Sequence, residues 1–211
     1  MPYNESAEKY LSAQDPRMAR LIERVGDADG LVPPSLWAER RPALEALLRA
    51  IVGQQLSGAA ARTIFTRFKG LLDSEVVTAE AVLALPESTL RSVGVSPQKA
   101  RFLHNVCRTV AASQLDLQSL ASLTDEQVME SLVAVNGIGR WTAEMFLIFH
   151  LQRPDILPRH DVGIQRGLQL AYGLPSKPAP QTVAEIGRKW SPHRTLASRY
   201  LWAAVNLRLQ P

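Results

Sequence analysis

Helical periodicity runs through almost the whole chain, and this feature limits the available folds more than any other. Apolar residues recur every three to four positions, whereas no segment alternates apolar and polar residues convincingly over more than four residues. Helices are expected to begin near residues 16, 42, 58, 78, 87, 97, 125, 140, 180 and 193. The pattern predicts an all-α fold with a Pro/Gly-rich connection at 27–35 and a longer irregular loop at 151–163.

Local signals support several of these helix boundaries. Asp15-Pro16 places a capping residue before a proline, and Ser96-Pro97 repeats the arrangement. Thr124–Gln127 fits a capping box, and Val128, Leu132 and Val133 are expected to form the buried stripe of the helix that follows.

Length and composition narrow the class of protein. The 211 residues suffice for one large domain or two smaller lobes, and 46% hydrophobic with 21% charged residues is typical of a folded globular protein. The single cysteine, Cys107, excludes an internal disulfide, a four-cysteine zinc site and a four-cysteine iron–sulfur cluster. No apolar run reaches the roughly 18–20 residues that span a membrane, and the first ten residues contain no signal-peptide core, so a cytoplasmic location is expected.

Positive charge is concentrated in the last third of the chain. The net charge is +4, yet residues 1–135 contain 14 basic and 16 acidic side chains, whereas residues 136–211 contain 10 basic and 4 acidic ones. Arginine outnumbers lysine 19 to 5, and arginine binds phosphate through two parallel hydrogen bonds. The asymmetry favours a polyanionic partner such as nucleic acid. The alternative is a protein that is simply rich in arginine and has no such partner.

Two glycines separate two predicted helices within Val135–Gly139. Gly137 and Gly139 allow backbone conformations closed to other residues, and they let a phosphate approach the N–H groups at the start of the next helix. Arg140 adds a positive charge at the same place. The pattern is typical of a helix–hairpin–helix motif, which binds the DNA backbone without reading sequence. A tight turn that needs glycine only for packing is the alternative.

An acidic residue, Asp161, lies in the Pro-rich loop 22 residues after Gly139, where it could be solvated or cap the next helix. The sequences VNGIGRWTAEMFLIF and LPRHDVGIQRGL nevertheless resemble the helix–hairpin–helix and Gly/Pro…Asp signature of the DNA glycosylase superfamily. Three further segments resemble its 3-methyladenine DNA glycosylase II branch, namely AIVGQQLSGAAA at 50–61, LRSVGVSPQKARFL at 90–103 and WSPHRTLASRYLW at 190–202. The resemblance covers residues from about 40 to 205.

This resemblance implies a catalytic role for Asp161. Breaking an N-glycosidic bond builds positive charge on the deoxyribose, and a carboxylate beside C1′ stabilises that charge and orients or deprotonates the attacking water. Trp141 and Trp202 correspond to tryptophans of the base pocket, where an electron-rich ring attracts a cationic alkylated purine. Met145, one turn after Trp141, would face the same pocket. Core packing is the alternative role for both tryptophans.

The resemblance also assigns contacts with DNA. Gly137, Gly139 and Arg140 would bind phosphates, and Gln55 or Leu56 would be the wedge that fills the gap left by the flipped base. No cofactor is implied beyond a monovalent cation held by hairpin carbonyls, those of Val133, Val135 and Ile138.

Residues near the proposed wedge also have possible structural roles. Leu56 could instead belong to the core, and Gln54 could cap a backbone group. Lys99 and Arg101, in the SPQKAR stretch, are expected only to cover a helix face and are left out of the site.

The resemblance further implies two helical lobes within a single unit of residues 1–211. One lobe would contain residues 36–155 and end in the hairpin motif, and residues 1–35 plus 156–211 would form the other. The site would lie in a DNA-binding cleft between them. About 40 residues precede the first matching motif and they show a helical pattern, so the N-terminal β-rich domain of the bacterial enzyme is expected to be absent.

The expected activity follows from a residue that differs from lyase-type relatives. Trp141 stands where those relatives carry a lysine nucleophile, and an indole cannot form a Schiff base. The resemblance therefore implies a monofunctional glycosylase, active on double-stranded DNA, that excises alkylated purines such as 3-methyladenine or 7-methylguanine and initiates base excision repair. It would be a monomer without an iron–sulfur cluster, located in the cytoplasm or in a eukaryotic nucleus. A non-catalytic DNA-binding protein and a glycosylase for another lesion class are the alternatives.

Overall fold

The computed structural model describes residues 5–26, 41–73 and 75–208. Within these ranges the ordered elements are helices and no β-strand occurs, which confirms the expected all-α class. The connection expected at 27–35 lies outside the described residues. The α-helices are α1 Glu5–Gln14, α2 Pro16–Val25, α3 Ala43–Gly53, α4 Gly58–Lys69, α5 Ala79–Leu83, α6 Glu87–Ser92, α7 Pro97–Ala111, α8 Asp125–Val133, α9 Arg140–Phe149, α10 Val162–Tyr172, α11 Pro180–Gly187 and α12 Arg194–Asn206.

Side chains at the helix starts explain why these segments fold where they do. Asp15 caps α2 by accepting hydrogen bonds from the backbone N–H groups of Arg17 and Met18. Ser96 caps α7 in the same way, and Thr124 with Gln127 forms the expected capping box at α8. The sequence-based helix starts are therefore confirmed at these positions.

The chain divides into two compact units. One combines Met1–Arg40 with Gln152–Pro211, and the other is Arg41–Leu151. The sequence-based boundaries fell at 35/36 and 155/156, a few residues away from these.

The first unit is built around α10 and α12. These two helices pack against each other and against α2, and their buried side chains include Ile164, Leu168 and Leu201. Trp190 and Tyr200 are the largest side chains of this core. Because α1 and α2 pack on α12, the N-terminal helices and the C-terminal helix share one hydrophobic core.

The second unit is centred on α3, which contacts α4, α7 and α9. Its core includes Leu48, Phe68, Leu103 and Phe146. The lone cysteine, Cys107, is buried here, and burial, with a smaller contribution from the Glu80 carboxylate, raises the pKa of its thiol to about 12. A thiol so protonated is no nucleophile. No helix of the described residues is long and apolar enough to cross a membrane.

Two details of the sequence-based description need correction. No helix start was predicted at residue 162, although capping of a following helix was one of the roles left open for Asp161; Gly163 and Gly167 weaken the helical pattern at the start of α10. Val133 was expected to complete a buried stripe, but its side chain is 45% exposed. Val128 and Leu132 of the same stripe are buried as expected. Val133 is the last residue of α8.

Candidate functional site

Asp161 is the N-cap of α10, and two hydrogen bonds fix its carboxylate. Oδ1 accepts one from the backbone N–H of Ile164 at 2.8 Å and another from the indole Nε1–H of Trp202 at 2.9 Å. The side chain is half-buried. The helix-capping role that the sequence left open is therefore real, and it occurs together with a contact to a residue 41 positions away. The helix cap and the indole together hold the carboxylate in place.

The loop before Asp161 is tied to the helix that carries Trp202. Asp155 accepts a bidentate pair of hydrogen bonds from the Arg194 guanidinium, at 2.7 and 2.9 Å, and another from the Ser191 hydroxyl at 2.7 Å. Burial alone would raise the pKa of Asp155, but these hydrogen bonds and the Arg194 charge lower it below its usual value. The ion pair therefore joins the loop before Asp161 to the first turn of α12.

Thr195 makes a second connection at the same point. Its hydroxyl accepts from the Ile156 N–H at 3.0 Å and donates to the Arg153 carbonyl at 2.7 Å, while its own N–H donates to the Pro154 carbonyl. Sequence reasoning missed both Asp155 and Thr195. Their partners lie 36 or more positions away, so no local pattern could have identified them.

The glycines of the hairpin have different surroundings. Gly137 has a φ of +104°, and a methyl group added there would lie 2.7 Å from Cβ of Phe102 on α7. Gly139 is the N-cap of α9; it makes no side-chain cap, and an added methyl would meet nothing within 4 Å. Gly137 is thus required by conformation and packing, whereas Gly139 leaves space beside the first turn of α9.

Arg140 begins α9 and forms an ion pair with a buried acid. Its Nε donates to Oε1 of Glu144 at 3.0 Å; the Arg140 side chain is 58% exposed and that of Glu144 only 2%. A buried carboxylate needs such a partner. The Arg140 charge that the sequence assigned to phosphate binding therefore also compensates the buried Glu144 carboxylate within the first turns of α9.

The two tryptophans expected in the pocket are only partly buried, and Trp202 also packs against the core of the first unit, as the alternative role predicted. Trp141 and Trp202 are both half-buried, in contrast to the fully buried Trp190. Trp141 lies over the end of α3, with ring atom Cη2 about 4.0 Å from where a side chain on Gly53 would begin. Met145 is buried one turn further along α9. Partial exposure leaves both indoles able to contact a ligand.

The turn at 54–57, called the wedge turn below, joins α3 to α4 and contains the two wedge candidates, Gln55 and Leu56. Gln55 is exposed and has a φ of +57°, which is uncommon for a residue with a side chain. Leu56 is 39% exposed, so its alternative assignment to the core is wrong. The Gln54 amide donates to the Gly137 carbonyl at 3.1 Å and to the Thr142 hydroxyl at 2.9 Å. Gln54 thus does bond a backbone group, and that group belongs to the hairpin.

Lys99 has a different role from the one expected of it. Its Nζ donates to the carbonyls of Val52 at 2.8 Å and Gln54 at 2.6 Å, so it caps the C-terminal end of α3 immediately before the wedge turn. Burial lowers the pKa of this ammonium group. Its assignment to a simple helix face is therefore wrong. No local pattern identifies this role, because the two carbonyls lie 45 and 47 positions earlier in the chain.

The structure brings together some of the expected residues. Asp161 and Trp202 meet in the first unit. The hairpin, Trp141, Met145 and the wedge turn all belong to the second unit, where Gln54 links the turn to the hairpin. His160, next to Asp161, is exposed, and Arg159 is half-buried.

Comparison with known proteins identifies the family. Residues 48–193 match the family described as HhH-GPD superfamily base excision DNA repair protein. The chain belongs to this family. It is 33% identical over 203 residues to the DNA-3-methyladenine glycosylase 1 of Schizosaccharomyces pombe, covering 95% of this chain and 87% of the relative.

Solved structures agree with this membership. A fission-yeast 3-methyladenine DNA glycosylase in complex with abasic DNA is similar with a TM-score of 0.87 and 32% identity, covering 95% of this chain and 97% of the other. A DNA-3-methyladenine glycosidase from Bacillus halodurans gives a TM-score of 0.77 and 34% identity, covering 97% and 91%. The fold of this family is therefore present along almost the whole chain, and it carries the expected Gly/Pro…Asp segment.

Proposed function

We propose that the protein is a monofunctional DNA glycosylase that excises alkylated purines, such as 3-methyladenine or 7-methylguanine, and so initiates base excision repair. The observation that carries the proposal is the hydrogen bond from Trp202 to Asp161 in a chain that belongs to the HhH-GPD family. This hydrogen bond places a carboxylate, which can stabilise positive charge on the deoxyribose, next to an aromatic ring, which can stack on the base. The relatives that are named DNA-3-methyladenine glycosylases support the choice of substrate.

Asp161 would act at the sugar. As the bond between C1′ and the base nitrogen breaks, its electron pair leaves with the base and positive charge develops on the deoxyribose. The ionised carboxylate stabilises that charge and accepts a proton from the water that attacks C1′. Since Oδ1 is held by Ile164 and Trp202, the carboxylate is oriented before substrate binds, and no reorganisation is needed during the reaction.

Trp202 and Trp141 would act at the base. A purine alkylated at N3 or N7 carries a positive charge, which the face of an indole attracts with about 0.5–2 kcal/mol. The same charge makes the base a good leaving group, because it departs as a neutral molecule. The protein therefore needs to supply little acid catalysis at the base. Trp141 stands in place of a lysine nucleophile, so the product would be an abasic site in an intact strand.

The second unit would bind the DNA backbone. The open N-terminus of α9 at Gly139 offers N–H groups to a phosphate, and the exposed Gln55 and Leu56 are available to enter the gap in the duplex. A monovalent cation at the hairpin carbonyls is part of the proposal. Uncharged oxygens suit such an ion, and the Val135 carbonyl, which accepts from the Ile138 N–H, keeps a second lone pair.

A base-release assay tests this function. Duplex DNA containing one 7-methylguanine is incubated with the protein, and free base and strand breaks are measured before and after alkali. We expect free base, with strand breaks only after alkali. The control is Asp161→Asn, which keeps the shape of the side chain and its acceptor oxygen. It should retain DNA binding and lose at least about 100-fold in excision rate.

The other outcomes separate the alternatives. Strand breaks without alkali would indicate a glycosylase with lyase activity. DNA binding without base release from any alkylated substrate would indicate a non-catalytic DNA-binding protein. A panel with 3-methyladenine, 1-methyladenine, ethenoadenine and hypoxanthine then defines the preferred lesion. Acting on genomic DNA, the protein would work in the bacterial cytoplasm or the eukaryotic nucleus.

A further inference from the structure

A glycine on the first turn of α10 lies against the pair formed by Asp161 and Trp202. A methyl group added to Gly163 would lie 2.9 Å from Oδ1 of Asp161, 2.9 Å from Cδ1 of Trp202 and 3.1 Å from its Nε1. These distances are shorter than the van der Waals contact of about 3.5 Å. The Cβ position of residue 163 is thus filled by the two groups that make the hydrogen bond.

The backbone itself does not require glycine at this position. Gly163 is helical, and it is not among the glycines with positive φ, which include Gly137 and Gly173. Alanine would favour the helix over glycine by about 1 kcal/mol. The glycine therefore weakens the helix locally, and the structural reason for it is the space that it leaves.

Gly167, one turn further on the same face of α10, shows what that face contacts. A methyl group there would lie 2.7 Å from the carbonyl carbon of Leu201 and 2.9 Å from its Cα. Residues four apart on a helix share a face, and small residues let two helix backbones approach closely. Gly167 thus accommodates the backbone of α12, while Gly163 accommodates the side chain of the next residue, Trp202.

We propose that Gly163 is a positioning residue for the reaction: the missing side chain allows the Trp202 indole to reach Oδ1 of Asp161 and so sets the direction of the carboxylate. The inference rests on the proposed function, since the reaction is the one assigned there. A side chain at residue 163 would displace the indole, the carboxylate or both. Displacement of a catalytic group by about 1 Å costs on the order of 100-fold in rate.

Gly163→Ala tests the proposal. Single-turnover excision of 7-methylguanine should fall about 100-fold, while affinity for DNA with an abasic site stays at the wild-type value. A direct readout is the indole N–H signal of Trp202 in a ¹H–¹⁵N spectrum. The chain has four tryptophans, and Trp202→Phe identifies this signal by its loss. In Gly163→Ala the signal should move toward the position of an indole without a carboxylate acceptor.

Two glycine variants serve as controls. Gly70→Ala adds a methyl that meets its nearest atom at 3.4 Å, so excision and stability should match the wild type. Gly167→Ala should lower stability and every activity together, as a purely structural defect does. If Gly163→Ala lowers stability, DNA affinity and excision in the same proportion as Gly167→Ala, with an unmoved Trp202 signal, the positioning role is wrong.

A double variant keeps the test decisive if Gly163→Ala folds poorly. Removing the indole removes two of the three short contacts of the added methyl and leaves the one to Oδ1 of Asp161. Gly163→Ala should therefore cost clearly less in folding and excision in a Trp202→Ala background than in the wild type. Fully additive effects would overturn the proposal. Absence of base release by the wild type would instead overturn the proposed function, and the Trp202 signal would still report whether Gly163 keeps the pair together.

Discussion

Glycines mark two regions of this molecule, the hairpin before α9 and the contact between α10 and α12, but they serve different purposes. In the hairpin, Gly137 adopts a φ of +104° and Gly139 leaves the start of a helix open. On α10, Gly163 and Gly167 have helical conformations and are small because another helix lies against them. One region uses glycine for its backbone conformation, and the other uses it for space.

This difference determines which of the glycines could be interpreted from the sequence alone. A glycine pair two residues apart between helices is a local pattern, so the hairpin could be predicted, whereas phosphate binding there stays a prediction. The partners of Gly163 and Gly167 are Trp202 and Leu201, which lie more than 30 positions away. No periodicity connects them, and only the packed structure shows that Gly163 lies against Trp202 and Gly167 against the Leu201 backbone.

The largest effect is expected for Gly167→Ala, which forces a methyl group against the Leu201 backbone. A backbone cannot move aside as a flexible side chain can, so the variant should lose about 3 kcal/mol of stability or more. Urea unfolding measures this loss, with Gly70→Ala as the matched control. Wild-type stability in Gly167→Ala would show that α10 and α12 do not approach each other this closely.

The same distinction explains which parts of the fold and site followed from the sequence. Helix starts at Asp15, Ser96 and Thr124 depend on residues within three positions, and they were correct. The resemblance to the glycosylase signature located Asp161 and Trp202, but not the hydrogen bond between them. Lys99 was assigned to a helix surface, because its target carbonyls lie on α3, 45 or more positions earlier.

A second prediction concerns the buried acid that joins the N-terminal helices to the C-terminal core. Asp15 accepts hydrogen bonds from the Tyr172 hydroxyl, from Trp190 Nε1 at 2.9 Å and from Lys189 Nζ at 3.1 Å. Burial alone would raise the pKa of Asp15, but these hydrogen bonds and the Lys189 charge lower it below its usual value. Asp15→Asn removes the charge and should cost about 2–3 kcal/mol at neutral pH.

The pH dependence of that loss has a definite sign. Because the pKa of Asp15 is lower in the folded protein than in the unfolded chain, its stabilisation is complete above about pH 4 and disappears as the pH falls through the folded value. The stability of Asp15→Asn should therefore vary less than that of the wild type below pH 4. Asp73→Asn, at an exposed position, is the control. Parallel acid profiles for wild type and Asp15→Asn would contradict this account.

The hairpin glycines should separate stability from DNA binding. Gly137→Ala combines a strained φ with a clash against Phe102, and it should cost about 2 kcal/mol. Gly139→Ala meets nothing and should change stability by less than about 0.5 kcal/mol, yet its methyl group lies where a phosphate would approach. Thermal unfolding and anisotropy with labelled abasic DNA measure the two properties. Equal losses of stability in both variants would contradict the different roles given to Gly137 and Gly139.

The smallest effect is expected at Lys99, which connects the wedge turn to its helix through two carbonyls. Lys99→Met keeps most of the apolar stem and removes the cap, so stability should fall by only about 1 kcal/mol. Affinity for abasic DNA should fall more than in Lys177→Met, which removes the same charge from an exposed position. Since both variants lose one positive charge, any excess loss in Lys99→Met reports the geometry of the turn rather than the electrostatic attraction to DNA. Equal losses at every salt concentration would show that Lys99 contributes charge alone, and that the wedge turn keeps its shape without it.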